Sequence, residues 1–145
     1  MRLPVAGLLV IVALIASAAA RQGDAEEAAI RETIQSYFKG DLDRDVESLK
    51  RAFHPTAVLM TVDDAGALAV LTQPDWHASV ERTPDRERPT PRILQIDRAG
   101  NAAMAKTQLS FPHGSYTDFL SLLKIEGRWT VVNKIYHWED QVPRK

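Results

Sequence analysis

The sequence predicts an α+β domain, with helices gathered on one face of a curved antiparallel sheet. Three observations carry this. Two stretches with apolar residues at helical spacing follow residue 20, and the period then changes to short apolar runs of strand type. The last four of those runs form a meander, each bounded by a glycine-containing turn.

Residues 1–20, "MRLPVAGLLVIVALIASAAA", carry one charge, Arg2, then an apolar run and a tail of small residues ending Ala18-Ala19-Ala20. This is the anatomy of a secretory signal peptide, and it predicts an exported protein, periplasmic or secreted, whose mature chain begins near Arg21. An uncleaved anchor is the competing reading, because Leu3 to Ala20 is just long enough to cross a bilayer. The remainder, residues 21–145, is the size of one domain, with its core over about 28–138.

The first helix is read from "DAEEAAIRETIQSYFKGD", where Ala29, Ile30, Ile34, Tyr37 and Phe38 share a face, acids lie at the start and Lys39-Gly40 signals a stop. A second fits "LDRDVESLKRAF", with Leu42, Val46, Leu49 and Phe53 on one stripe and Pro55 forbidding continuation. "AVLMTV" and "ALAVLT" flank Asp63-Asp64-Ala65-Gly66 and read as a hairpin, and Gln73 to Arg82 as a short third helix. "RILQIDRAG", "NAAMAKTQLSF", "YTDFLSLLKI" and "RWTVVNKIYH" are the closing four strands. Between them and the third helix lies "ERTPDRERPTPR", Glu81 to Arg92, whose alternating charges and prolines suit a solvated loop.

Composition removes several function classes. Lys plus Arg number 18 against 19 Asp plus Glu, a net charge of -1 that offers no footprint for nucleic acid or an anionic membrane surface. There is no cysteine, hence no lipoprotein anchor, disulfide or thiolate site. The four histidines lack metal-ligand spacing, and neither a glycine-rich phosphate loop nor a Gly-x-Ser-x-Gly elbow occurs, so no metal and no cofactor are expected.

The stretches "YFKGDLDRD", "AFHPTAVL", "GNAAMAKTQL" and "YTDFLSLLKIEGRWTVVNKIYH" closely resemble the putative lumazine-binding group of the nuclear-transport-factor-two-like superfamily, over about Ala28 to His137. The resemblance implies a cone-shaped fold, a strongly bent antiparallel sheet wrapped around the N-terminal helices, with a pocket opening between sheet and helices. Relatives of that shape include isomerases, dehydratases, polyketide cyclases and binding or assembly modules. No agreed catalytic set comes with the group, and fold alone does not choose among these activities.

Candidate site residues come from the last hairpin. If Glu126-Gly127 forms a two-residue turn, Ile125 faces Arg128, which sets Leu122 opposite Val131, Leu120 opposite Asn133, Asp118 opposite Ile135 and Tyr116 opposite His137; a three-residue loop would slip the pairing and disperse this set over both faces. On that register one face grades from apolar near the turn to Tyr116, Asp118, Asn133 and His137 at the far end, as a pocket lining would. The other face carries Thr117, Ser121 and Lys134 among Phe119, Leu123, Val132 and Tyr136, and these last four form an apolar strip that predicts a homodimer. Phe53 and Trp76 complete the expected ligand-binding set. Asp118, His54 and His137 are the candidate acid/base groups. Each also has a structural reading: Asp118 as a hydrogen-bonded anchor, His137 as a half-exposed strand end, His54 as a cap on the second helix.

Three functions fit. The first is an exported domain binding a small heteroaromatic or apolar-polar molecule. The second is a lyase or isomerase working through an Asp/His pair, and the third is a dimeric assembly module without chemistry.

Overall fold

The computed structural model describes residues 5–82 and 87–141, with side chains from Arg21 onward. The expected signal segment therefore lies outside the described side chains. The elements follow the predicted order: α1 (Val5–Asp43), α2 (Val46–Ala52), β1 (Val58–Val62), β2 (Leu68–Thr72), α3 (Gln73–Arg82), β3 (Thr90–Ala99), β4 (Ala102–Phe111), β5 (Gly114–Ile125) and β6 (Arg128–Asp140). The strands form one sheet in the order β2-β1-β6-β5-β4-β3. The expected antiparallel pairing holds except where β1 meets β6, which is parallel, with Leu59 opposite Lys134 and Met60 opposite Ile135.

The α1 helix does not stop at Lys39-Gly40 but runs on through Leu42 to Asp43. Gly40 instead serves close packing: a Cβ there would lie 2.8 Å from the backbone nitrogen of Leu49, so the glycine lets α2 press against α1. The actual break is Arg44 at φ 58, followed by Asp45, whose carboxylate accepts from the Ser48 backbone N–H at 3.1 Å and caps α2. Ile30, Ile34 and Tyr37 of α1 are fully buried against Leu120, Leu122, Trp129 and Val131 of the sheet. Near the start of that contact Glu26 accepts from Lys124 Nζ at 2.6 Å and from Trp129 Nε1 at 2.8 Å, tying the helix to the tip of the last hairpin.

That hairpin turns as predicted at Glu126-Gly127, both at positive φ (50° and 80°), the backbone a two-residue type I′ turn needs. Its register is the predicted one only for the first turns of the ladder. Ile125 faces Arg128 and Leu122 faces Val131, but a β-bulge then leaves Val132 without a partner and Ser121 faces Asn133. Beyond it the pairs are Leu120–Lys134, Asp118–Tyr136, Thr117–His137 and Tyr116–Trp138, not those of an uninterrupted ladder. Side chains alternate along a strand, so the one-residue slip exchanges the faces of everything after it. Lys134 and Tyr136 turn toward the helices, and Asn133 and His137 turn away. The outer apolar strip accordingly loses Tyr136 and gains Ile135, which stands beside Phe119 and Met60.

Candidate functional site

The bulge creates the site. Asp118 lies between Thr107 of β4 and Tyr136 of β6, all three in one row across the inner face. Its carboxylate is fully buried. Tyr37, projecting from α1, donates its hydroxyl to Asp118 Oδ2 at 2.7 Å, and Thr107 Oγ1 adds a longer contact to the same oxygen at 3.3 Å. Lys134 donates to the Tyr37 hydroxyl at 2.7 Å, and its Nζ stands 3.1 Å from Asp118 Oδ1. The result is a closed triangle, with ammonium to phenol, phenol to carboxylate, and carboxylate back to ammonium by charge.

Such a pair is costly to bury and is stable only when its remaining valences are met. The aromatic residues meet part of that need. Lys134 Nζ lies 4.7 Å from the ring centroid of Tyr37, 5.2 Å from Tyr136 and 5.6 Å from Trp76, so the cation is caged by ring faces, which attract it electrostatically. One acceptor stays unsatisfied: Asp118 Oδ1 receives no aligned hydrogen bond, although Lys134 neutralises it at short range.

Above this triangle opens a cavity of about 140 Å³ whose wall includes Tyr37, Trp76, Tyr116, Lys134 and Tyr136, with Asp41 also on its lining. A cavity of about 150 Å³ holds one benzene ring, so the space suits a single ring or one ring of a larger molecule reaching outward. Burial, reinforced by the neighbouring Tyr116 and Asp118, pushes the Tyr136 phenol above its usual pKa, which keeps it protonated and able to donate.

Of the residues expected to form a site, Trp76 and Tyr116 line this cavity, while Asp118 is fully buried behind its wall, against the lining residues Tyr37 and Lys134. Phe53 stands behind it, edge-on to Trp76 at 5.0 Å and to Tyr37 at 5.5 Å, and packs the wall rather than lining the cavity. Asn133 sits on the outer face opposite Ser121, and His137 is exposed there beside Phe119 and Ile135. Neither reaches Asp118, because the bulge reverses them. His54 bonds within its own turn, Nδ1 to Thr56 Oγ1 at 2.8 Å, and is not among the cavity residues. Sequence reasoning missed Tyr37, Lys134 and Tyr136. Tyr37 carried a signal, since a phenol on a buried helix stripe needs a partner for its hydroxyl.

Residues 25–137 match the protein family described as "Putative lumazine-binding". The chain belongs to that family. Its fold is nuclear-transport-factor-two-like: it superimposes on an NTF2-like protein of unknown function from Shewanella baltica with TM-score 0.72 and 32% identity, covering 80% of this chain and 95% of that one. A further NTF2-like protein of unknown function, from Methylobacillus flagellatus, aligns with TM-score 0.68 and 26% identity over 79% of this chain and 92% of its own. Among curated proteins, the aldolase FrzH of Cladobotryum sp. is 32% identical over 60 residues, 40% of this chain. The matched stretch spans only 48%, about half, of that aldolase. In this member of the family the cavity wall thus includes Lys134 and Tyr37, with the buried Asp118 behind them.

Proposed function

We propose that this chain is an exported small-molecule-binding protein whose ligand enters the cavity between sheet and helices. The observation that carries the reading is an aromatic-walled space lined by the nearly buried Lys134, whose charge is met by the fully buried Asp118 behind it. Aromatic faces supply apolar contact to a flat ring, and a few fixed polar groups set its orientation. Lys134 and the neutral Tyr136 phenol offer donors to a carbonyl or ring-nitrogen acceptor, the kind of group that a pteridine such as lumazine carries. Export rests on the signal-like segment. Homodimerisation rests on the exposed outer-face residues Phe119, Ile135, Met104 and Leu123.

A second reading has one observation in its favour. The similarity to an aldolase, together with a lysine on the cavity wall paired to a buried aspartate behind it, supports a lyase or isomerase acting on a small carbonyl compound. The acid/base partner of Asp118 is then Lys134 rather than a histidine.

Native mass spectrometry of the protein recovered from its own exported fraction tests the binding reading. It is paired with saturation-transfer NMR against single-ring and bicyclic carbonyl heterocycles, lumazine among them. A retained or added ring compound displaced by Trp76→Ala supports it. An empty protein that binds none of these compounds sinks it.

A further inference from the structure

Lys134 is the most protected lysine among those whose ion pairs are described: its side chain is 8% exposed, against 55% for Lys39 and 54% for Lys50. Yet Lys134 lines the cavity, and its Nζ stands over the rings of Tyr37, Trp76 and Tyr136, which line it too, so burial hides it from bulk water on the side away from a ligand. The ammonium has an adjacent proton acceptor in Asp118 Oδ1 at 3.1 Å. A second route runs through the Tyr37 hydroxyl, 2.7 Å from both Nζ and Oδ2. An amine in an aromatic-walled space, beside a carboxylate able to take its proton and return it, has what a carbonyl-trapping nucleophile requires. An ion pair serving only the scaffold has no need of an opening beside the nitrogen.

We propose that Lys134 forms a covalent imine with an aldehyde or ketone bound in the cavity. The inference rests on the binding reading above. Asp118 takes a proton from the Lys134 ammonium, and the freed nitrogen lone pair attacks the carbonyl carbon to form a carbinolamine, whose oxygen regains a proton from the nitrogen. Asp118 then returns its proton to the leaving hydroxyl, through the hydroxyl of Tyr37, which lines the cavity, or directly, water departs, and a protonated C=N bond to Nζ remains beside the Asp118 carboxylate. The balance is one carbonyl compound plus the Lys134 ammonium giving one protonated imine plus one water, with the Asp118 carboxylate restored and no oxidant or reductant. The size of the cavity, one ring, selects an aryl or small cyclic carbonyl compound over an extended one.

The test uses the full chain with benzaldehyde and cyanoborohydride, which reduces an imine to a stable benzylamine, followed by peptide mapping. Chemical accessibility alone ranks Lys39 and Lys50 first and Lys134 last. The proposal expects the reverse, with Lys134 labelled at least roughly tenfold faster than either. Lys134→Arg abolishes the rapid label, and Asp118→Asn slows it by about a hundredfold, the scale of one proton-transferring group. Circular dichroism verifies that each variant is folded, and if either is not, the ranking of lysines in the unaltered protein decides alone. Labelling in order of exposure overturns the imine. Benzyl alcohol, which has the ring but no carbonyl, separates the two readings by saturation-transfer NMR. If it occupies the cavity while Lys134 stays unlabelled, binding stands and the imine falls. If neither benzyl alcohol nor benzaldehyde engages the cavity, both fall.

Discussion

The two halves of the β5–β6 hairpin share a ladder and differ in what they bury. Near the turn the inner face holds Leu122, Val131 and Trp129, a dry apolar contact with α1. Past Val132 the same face holds Lys134, Asp118, Tyr136 and Tyr116, a polar cluster under aromatic rings. The near half is held by area removed from water, which tolerates approximate fit. The far half depends on three polar groups whose mutual distances must all be short. One extra residue in one strand separates the two regimes, so the bulge is the device by which a core strand becomes a site strand.

Removing one charge from the far half should have the largest effect on stability. Lys134→Met leaves Asp118 buried without its cation and is expected to cost roughly 3–5 kcal/mol in urea denaturation, whereas adding Asp118→Leu to the same chain recovers most of that loss. Equal costs for the single and double variants would show that the pair is not coupled. Asp118→Asn is expected to destabilise for the same reason, since it strands the lysine.

In the near half, Leu122→Ala should cost about 3 kcal/mol through lost burial and a residual cavity, with no change in ligand occupancy. Ligand loss with Leu122→Ala would mean that the halves are not separable. Tyr37→Phe removes only the bridging hydroxyl, and about 1–2 kcal/mol of stability should go with it. Its effect on the benzaldehyde label should fall short of that of Asp118→Asn, because Oδ1 still faces Nζ directly.

The smallest effect concerns pH and the clamp at the hairpin tip. Hydrogen bonds from Lys124 and then Trp129 hold the Glu26 carboxyl below its ordinary value of 4.5. A depressed folded-state pKa means that the contribution is complete above about pH 4.5 and is lost as pH falls through the lowered value. Acid titration followed by circular dichroism should show a slightly steeper loss of stability for the unaltered protein than for Glu26→Gln. Identical acid slopes would remove the clamp as a pH-dependent contact.

Element order, the two-residue turn and the family were legible because each rests on local signals: helical spacing through Ile30, Ile34 and Tyr37, the Glu126-Gly127 pair, and contiguous motifs. Asp118 was legible as a carboxylate among leucines. Its partners were not, because they depend on register across a bulge, and "TVVNKIY" contains no glycine or proline to announce one. The arithmetic that worked at Leu122 and Val131 failed one pair later and carried Asn133 and His137 to the wrong face. Lys134 was misplaced by the same step. A lysine in a strand is ordinarily read as solvent-facing, and only the tertiary approach of Tyr37, Trp76 and Tyr136 makes its burial tolerable.

The chain has three tryptophans, and each reports on a different place. Trp129 donates to Glu26, and Trp138 donates to Asp140 at 2.7 Å near the open end of the hairpin. Trp76 has the Lys134 ammonium 5.6 Å from its ring. An indole's emission shifts with the electric field across it, so converting that ammonium to a neutral nitrogen should move the colour of Trp76 and leave the other two unchanged. With Trp129 and Trp138 replaced by phenylalanine, the protein becomes its own optical gauge of the charge on one buried amine.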